Sequence, residues 1–113
     1  MRETNRVRDA HGLPQLGGST CAKEEALQRA AHLIGAAALT HAPLAGVMAH
    51  CRPDTTAAEN LSRAAADPVA VVGAWMGSPG HRSNLLDPTL TEIGVGCVRD
   101  GSQMLCSQVF LGP

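Results

Sequence analysis

The stretch WMGSPGHRSNLL, residues 75 to 86, contains the end of one predicted helix and the start of the next. The first helix begins at Asp67-Pro68, because aspartate is a favoured N-cap and proline is favoured at the first helical position. Ser78-Pro79 repeats that start signal, and Asp87-Pro88 ends the second helix. His81 is therefore predicted in the first turn of a short helix, where the helix dipole disfavours its charged form. A neutral imidazole can bind a metal ion or accept a proton, so His81 is the first candidate site residue.

Two strands are predicted downstream of this stretch. EIGVGCV, residues 92 to 98, and MLCSQVF, residues 104 to 110, alternate between apolar and other residues, and the turn signal Asp100-Gly101 lies between them. Helical segments and strands segregate along much of the chain. This order predicts an α+β fold, arranged as a layered α-β-α domain.

A long helix is predicted upstream, from Ala22 to Leu39. Its apolar residues recur at steps of three and four and should form one buried stripe, made of Leu27, Ala31, Ile34 and Ala38. His41 continues this stripe three residues beyond its last member, where Pro43 should end the helix. The periodicity therefore predicts His41 on the inner side, at the C-terminal end of the helix. A further short helical segment, residues 44 to 49, precedes His50.

Length and composition exclude several classes of protein. A chain of 113 residues is one domain, spanning 1–113, and we expect a monomer. The formal net charge is -1, from nine basic and ten acidic residues, so nucleic acid is not an expected partner. No apolar run approaches the ~20 residues of a membrane-spanning helix. The N-terminal MRETNRVRDAHG lacks the apolar centre of a secretory signal, so either the protein stays where it is made or a leader lies outside this sequence.

The four cysteines are Cys21, Cys51, Cys97 and Cys106, and none forms a C-x-x-C pair. A thiolate zinc site is therefore not expected. An even number of cysteines in a small domain indicates two disulfides and an oxidising compartment, and four cysteines allow three pairings. Cys97 and Cys106 flank the predicted hairpin turn, so we favour that pair, which leaves Cys21 with Cys51. The alternative is four buried free cysteines in a cytosolic protein.

Glu59, in the segment AAENLS, is a candidate for chemistry because a carboxylate in a partly apolar segment should have a partner. Two histidines and one carboxylate can bind zinc and leave coordination positions open for water. The histidines are His81 and either His41 or His50. These residues are far apart in the sequence, so only the fold can bring them together.

Several segments occur in the order typical of one protein family. They are NRVRDAHGLPQL, ALQRAA, LTH, AENLS, PVAVVGAWMGSPGHRSNLLDPTLTEIGVGC and CSQVF. The chain resembles the CAP superfamily, the cysteine-rich secretory, antigen 5 and pathogenesis-related proteins, and within it the bacterial SCP-like branch. WMGSPGHRSNLL followed by TEIGVG is the most specific part of the resemblance, and residues 17 to 56 match loosely.

The resemblance implies a three-layer α-β-α sandwich with a small antiparallel sheet between helices, in a secreted or cell-surface protein. In this family two histidines and up to two glutamates line a central cleft, and several members bind zinc or another divalent cation through the histidines. His81 matches the GHR histidine, and Glu59 matches the glutamate of the G-E-N motif. The first histidine is His41, in LTH, with His50 as the alternative. The second glutamate falls near Ser78, so the set of four is incomplete.

The resemblance implies three alternative functions. The first, which we favour, is an extracellular binding module whose His/Glu cleft holds a divalent metal and binds a lipid, sterol, glycan or protein; a small apolar ligand or a protein is the expected partner. The second is a zinc-dependent, peptidase-like hydrolase in which His41 and His81 hold zinc and Glu59 is the general base. The third is a structural or partner-docking domain. Whether the protein is an enzyme stays open at this point.

Overall fold

Five helices and four strands follow one another in the computed structural model, which describes residues 1–113. In chain order they are α1 (Arg2–Ala10), β1 (Gly17–Gly18), α2 (Thr20–His32), α3 (Ala45–His50), β2 (Thr56–Ala64), α4 (Pro68–Met76), α5 (Pro79–Leu85), β3 (Glu92–Asp100) and β4 (Gln103–Gly112). None of these helices combines the length and the apolar character needed to cross a membrane.

The strands form one four-stranded sheet in the order β1-β3-β4-β2. β4 lies inside the sheet and pairs antiparallel with β2 and with β3, while the two-residue β1 is parallel to β3. α2 packs on one face of the sheet, and α1, α4 and α5 pack together on the other. The predicted α-β-α sandwich is confirmed, and β1 makes its sheet mixed rather than wholly antiparallel.

Each face of the sheet has its own hydrophobic core, because successive residues of β4 point to opposite faces. Phe110 belongs to the core under α1, α4 and α5, whose other buried members are Val7, Leu16, Val72, Trp75, Leu85, Leu90 and Ile93. Val109 and Leu111 belong to the core under α2 and α3, with Ala22, Ala26, Val47 and Cys51. The second core has no aromatic residue and consists of small and medium-sized side chains.

α2 lies close to the sheet because its alanines face glycines of β3. A methyl group added to Gly94 would clash with the backbone of Lys23, and one added to Gly96 would clash with the backbone of Leu27. The helix residues turned to the sheet are the fully buried Ala22, Ala26 and Ala30. This contact between small residues fixes α2 over the sheet.

The predicted helix from residue 22 to residue 39 is wrong in its C-terminal part. Gly35, with φ 77°, lies just beyond the end of α2, and this left-handed conformation does not continue a helix. The predicted buried stripe is also wrong, since Leu27 is 40% exposed and Ile34 is 52% exposed. Only alanine fits against the glycines of β3, so close packing overrides the apolar periodicity. His41 consequently lies in an irregular segment between α2 and α3, not on the inner face of a helix.

The other predicted features are present. The β3–β4 hairpin turns between Asp100 and Gln103, and the disulfides join Cys21 to Cys51 and Cys97 to Cys106. α4 begins as predicted, with Asp67 Oδ1 accepting a hydrogen bond from the backbone N–H of Ala70 at 2.9 Å. β2, which carries Glu59, was not predicted as a strand.

Candidate functional site

Glu59 is buried beneath the segment that joins α2 to α3. It lies in β2, opposite Val109 of β4, on the face of the sheet that α2 covers. Its side chain is 1% exposed. Arg29 of α2 donates to both carboxylate oxygens, from Nε to Oε2 at 2.7 Å and from Nη2 to Oε1 at 3.0 Å. Ser107 Oγ donates to Oε2 at 2.6 Å, and His41 Nδ1 lies 2.8 Å from Oε1. The buried carboxylate is thus fully hydrogen-bonded.

Burial is the largest single influence on the pKa of Glu59, and it acts to raise that pKa because the interior solvates charge poorly. The hydrogen bonds from Arg29, Ser107 and His41, with the positive charge of Arg29, together outweigh burial and leave the pKa lowered. Glu59 is therefore an ionised carboxylate at neutral pH. Such an acceptor favours the His41 tautomer with its proton on Nδ1, which leaves Nε2 as the free ring nitrogen.

His41 lies at a cleft of about 290 Å³ between α2 and residues 40 to 42, and its side chain is 53% exposed. The cleft is lined mainly by polar residues: Glu25, Gln28, Arg29, His32, Leu33, Thr40, His41, Ala42 and Glu59. Arg29 also donates to the backbone carbonyls of Ala42, at 2.6 Å, and of Pro43, at 3.3 Å. One guanidinium therefore fixes both the carboxylate at the base of the cleft and the segment that forms its wall.

His81 lies in the first turns of α5, with Nδ1 3.0 Å from Ser78 Oγ and its ring centre 5.9 Å from that of Trp75. Ser78 occupies the N-cap position, but its side chain contacts His81 instead of capping the helix. Burial is the main cause that lowers the pKa of His81, and the electrostatic interaction with His41 lowers it further. Desolvation therefore favours a neutral His81.

Two asparagines connect the His81 helix to the strand that carries Glu59. Asn84 Nδ2 donates to the backbone carbonyl of Glu59 at 3.1 Å and to Asn60 Oδ1 at 2.9 Å. Asn60 Nδ2 donates to the backbone carbonyl of His81 at 3.3 Å and to Gln108 Oε1 at 3.2 Å. Neither asparagine is singled out by a pattern in the sequence, although one follows Glu59 directly and the other lies three residues after His81.

His41, and not the alternative His50, is brought into contact with Glu59. His50 lies at the end of α3, where its Nδ1 is 3.0 Å from Glu25 Oε1 and its Nε2 is 3.8 Å from Glu24 Oε2. His41 therefore lies beside Glu59 at the cleft, whereas His50 lies beside Glu24 and Glu25 at the surface of α2.

His50 also lies beside the disulfide between Cys21 and Cys51, and one ligand-type atom from each of these three residues lies within 4.8 Å of the other two. This His/Cys cluster could hold a metal ion, but only with its sulfurs as thiolates, because the thiolate is the form of cysteine that binds metals. His41, Glu59 and His81 do not form a group as tight as this one.

Bacterial proteins are similar to this chain in sequence and fold. YkwD of Bacillus subtilis (strain 168) is 49% identical over 57 residues, which are 50% of this chain and 21% of that protein. An extracellular protein containing an SCP domain from Bacillus anthracis str. Ames superposes with a TM-score of 0.84 at 28% identity, over 97% of this chain and 38% of that one. A cysteine-rich secretory protein from Staphylococcus aureus subsp. aureus Mu50 superposes with a TM-score of 0.82 at 27% identity, over 99% of this chain and 36% of that one.

An outer surface protein from Borrelia burgdorferi has a TM-score of 0.84 over 98% of this chain and 86% of that protein, and its 21% identity shows the fold alone. The chain thus spans well under half the length of the first three relatives, YkwD and the Bacillus anthracis and Staphylococcus aureus proteins. The sequence profile of one family matches residues 1–110, nearly the whole chain. On this match, and on a fold shared with SCP-domain proteins, the chain belongs to the cysteine-rich secretory protein (CAP) family.

Proposed function

We propose that this chain is an extracellular binding module, and that its ligand occupies the cleft between α2 and residues 40 to 42. Two disulfides in a domain of this size are typical of an oxidising compartment. Two structural relatives above 25% identity are described as an extracellular protein and as a cysteine-rich secretory protein. Both observations support export to the cell surface or beyond it.

The state of Glu59 is the observation that favours binding over catalysis. A general base needs a free lone pair within reach of the proton that it removes. Both oxygens of Glu59 already accept hydrogen bonds from Arg29, Ser107 and His41, and its lowered pKa makes it a weaker base. Glu59 therefore acts as a positioning residue, which orients His41 and holds Arg29 in the cleft.

The two imidazoles suit a divalent cation. Nδ1 of His41 is engaged by Glu59 and Nδ1 of His81 by Ser78, so Nε2 is the free nitrogen of each ring. Zinc-binding histidines usually have their second ring nitrogen engaged in this way, by an oxygen that orients the ring. His41 and His81 would hold zinc or another divalent cation, and that ion, when bound, would serve as a Lewis acid for oxygen ligands.

The lining of the cleft favours a polar ligand. Only Leu33 and Ala42 of its nine lining residues are hydrophobic, so a glycan or a polar segment of a protein fits it better than a lipid or a sterol. A small apolar ligand fits a different pocket, of about 230 Å³, on the opposite face of the sheet. Most residues that line this pocket are hydrophobic, including Val72, Trp75 and Met104. The apolar pocket is therefore a second candidate binding site.

The zinc-dependent hydrolase is less well supported, because its general base would be the fully hydrogen-bonded Glu59. A structural or partner-docking domain would need neither His41 nor His81.

Calorimetric titration of the oxidised protein with zinc tests the cation part of the proposal. The chain should bind zinc, and His41→Ala and His81→Ala should each weaken binding by about tenfold or more, because loss of a residue that only orients a ligand already costs that much. His11→Ala, which removes an exposed histidine of α1, is the matched control and should bind like the unmodified chain. Equal zinc affinity in all four proteins would exclude the imidazole pair as ligands.

A glycan array and a lipid-retention assay test the ligand class. Retention of a glycan that His41→Ala abolishes would support the cleft, and retention of a lipid that does not depend on His41 would favour the apolar pocket. Cleavage of a mixed peptide library, lost in Glu59→Gln, would contradict the proposal and favour the hydrolase.

A further inference from the structure

We propose that Cys21, Cys51 and His50 form a second metal site, which takes zinc when the disulfide between the two cysteines is reduced. None of its three ligands belongs to the His/Glu cleft, and Glu25 is the one residue that touches both places. The site does not depend on the proposed function of the cleft.

The three side chains converge from two helices. Cys21 lies in the first turn of α2, and His50 and Cys51 lie at the end of α3, with 5.7 Å between the Cα atoms of the cysteines. Ligand atoms of a tetrahedral zinc site are roughly 3.3 to 3.8 Å apart, given Zn–S bonds of about 2.3 Å and Zn–N bonds of about 2.0 Å. The atoms here are already within 4.8 Å of one another. After reduction the two sulfurs, which are bonded to each other in the disulfide, must move apart to zinc-ligand spacing while the imidazole of His50 stays beside them.

Two carboxylates complete the surroundings of His50, one at each ring nitrogen. Glu25 Oε1 lies 3.0 Å from Nδ1, and Glu24 Oε2 lies 3.8 Å from Nε2. Only Glu25 is at hydrogen-bonding distance, so it accepts the Nδ1–H and orients the ring, as in the carboxylate–histidine–zinc arrangement. Nε2 is then the nitrogen that binds the ion, and Glu24 is the nearby carboxylate that could supply a fourth ligand.

Reduction opens the site by thiol–disulfide exchange with a dithiol. One thiolate of the reductant attacks a sulfur of the disulfide, and Cys21 is the accessible one because Cys51 is only 4% exposed. The second thiol of the reductant then resolves the mixed disulfide. The S–S bond of the protein becomes two thiols, and the dithiol becomes a disulfide. Zinc binding displaces the two thiol protons to solvent.

The ion would take over the structural role of the disulfide. α3 has six residues, which are too few for a helix that is stable alone. The disulfide between Cys21 and Cys51 cross-links it to α2. Zinc bound by Cys21 of α2 and by His50 and Cys51 of α3 joins the same two helices. The domain would thus keep the wall of its cleft in place under reducing conditions, where zinc is present.

Cobalt and zinc titrations of the reduced protein test this site. In the Cys97→Ala/Cys106→Ala variant, reduced with a phosphine, Co²⁺ should give the near-ultraviolet absorption of a thiolate–cobalt bond, with one ion bound per chain, and zinc should displace it. The same variant in its oxidised form should give no such band. His50→Ala in this background should weaken binding by about tenfold or more. His11→Ala, which removes an exposed histidine just after α1, should leave the affinity unchanged.

Thermal melting of the reduced chain with and without zinc provides the second measurement. Zinc should raise the melting temperature of the chain that keeps Cys21 and Cys51, and should not raise that of Cys21→Ser/Cys51→Ser. A reduced chain that stays unfolded in zinc, or one that binds cobalt equally well without His50, would overturn the proposal. Since His41→Ala and His81→Ala test the cleft and His50→Ala tests this site, failure of one proposal is distinguishable from failure of the other.

Discussion

Arg29 and Glu59 form a buried ion pair in which one guanidinium contacts both oxygens of one carboxylate, at 2.7 and 3.0 Å. The side chains are 9% and 1% exposed. Removal of one partner from such a pair leaves an uncompensated charge in the interior, which is more costly than the pair itself is stabilising.

We therefore expect Arg29→Met to lower the free energy of unfolding by about 3 to 5 kcal/mol, as measured by urea denaturation at neutral pH. Arg6→Met is the matched control. It removes an arginine that pairs with Glu3 on the exposed side of α1, and its effect should not be measurable. If both substitutions have the same small effect on the free energy of unfolding, the buried charge of Glu59 does not need Arg29 for its stabilisation.

Gly94→Ala should separate α2 from the sheet, because its methyl group would meet the backbone of Lys23. Overpacking of this kind costs about 1 to 3 kcal/mol, and we expect the upper end of that range because a backbone cannot rotate away as a side chain can. Gly73→Ala, in α4, is the control. It points into open space and should stabilise the protein by about 0.5 to 1 kcal/mol, as alanine does in helix interiors. Melting curves of the two variants that shift in the same direction would contradict this account of the packing.

Arg8 is 1% exposed and donates to backbone carbonyls, among them those of Pro14, Leu85 and Asp87. Burial lowers the pKa of Arg8, and the negative charge of Asp87 acts in the opposite direction. Arg8→Lys keeps the charge but not the planar fork of donors, so carbonyls are left without partners. We expect a loss of about 2 kcal/mol or more in urea denaturation. Arg2→Lys, on the exposed side of the same helix, should leave the free energy of unfolding unchanged.

Glu92 of β3 faces Asp54 within hydrogen-bonding distance. Burial, then the negative charge of Asp54 and the hydrogen bond between the two groups, raise the pKa of Glu92. The folded state thus binds the carboxyl proton of Glu92 more tightly than the unfolded state does. The stabilisation is complete below the unfolded pKa, about 4.3, and is lost as the pH rises through the raised pKa of the folded state.

Glu92→Gln should consequently raise the melting temperature at neutral pH, where it removes the repulsion from Asp54. The gain should shrink towards about pH 4, where Glu92 is itself protonated. Asp9→Asn, at an exposed carboxylate of α1, is the control and should leave the melting temperature unchanged. A gain that is constant with pH would assign the effect of Glu92→Gln to packing rather than to charge.

Local signals in the sequence were enough to predict the hairpin, the disulfide between Cys97 and Cys106 and the starts of α4 and α5, and the pairing of Cys21 with Cys51 followed by elimination. Each local signal depends on residues next to the feature, such as Asp67 before a proline or a glycine between two alternating segments. Which face of α2 is buried was not predictable in this way. It depends on Gly94 and Gly96, which are far from α2 in the sequence and let its backbone approach the sheet closely.

The contact between His41 and Glu59 was anticipated for the wrong reason. Helical periodicity predicted that His41 points inward, whereas the residue lies on an irregular segment that Arg29 holds through the carbonyls of Ala42 and Pro43. No pattern in the sequence singled out Arg29, because an arginine within an amphipathic helix normally faces solvent. Its role became visible only once Glu59 was placed on the strand below it.

The placement of β4 between β2 and β3 has a consequence for synthesis of the chain. β2 and β3 do not pair with each other, and both hydrophobic cores include residues of β4. A ribosome adds residues from the N-terminus at roughly 5 to 20 per second, so the strand that joins β2 to β3 is the last of these four strands to be made. The nascent polypeptide therefore stays unfolded until that strand emerges, and a premature stop codon before residue 103 yields no smaller native sheet.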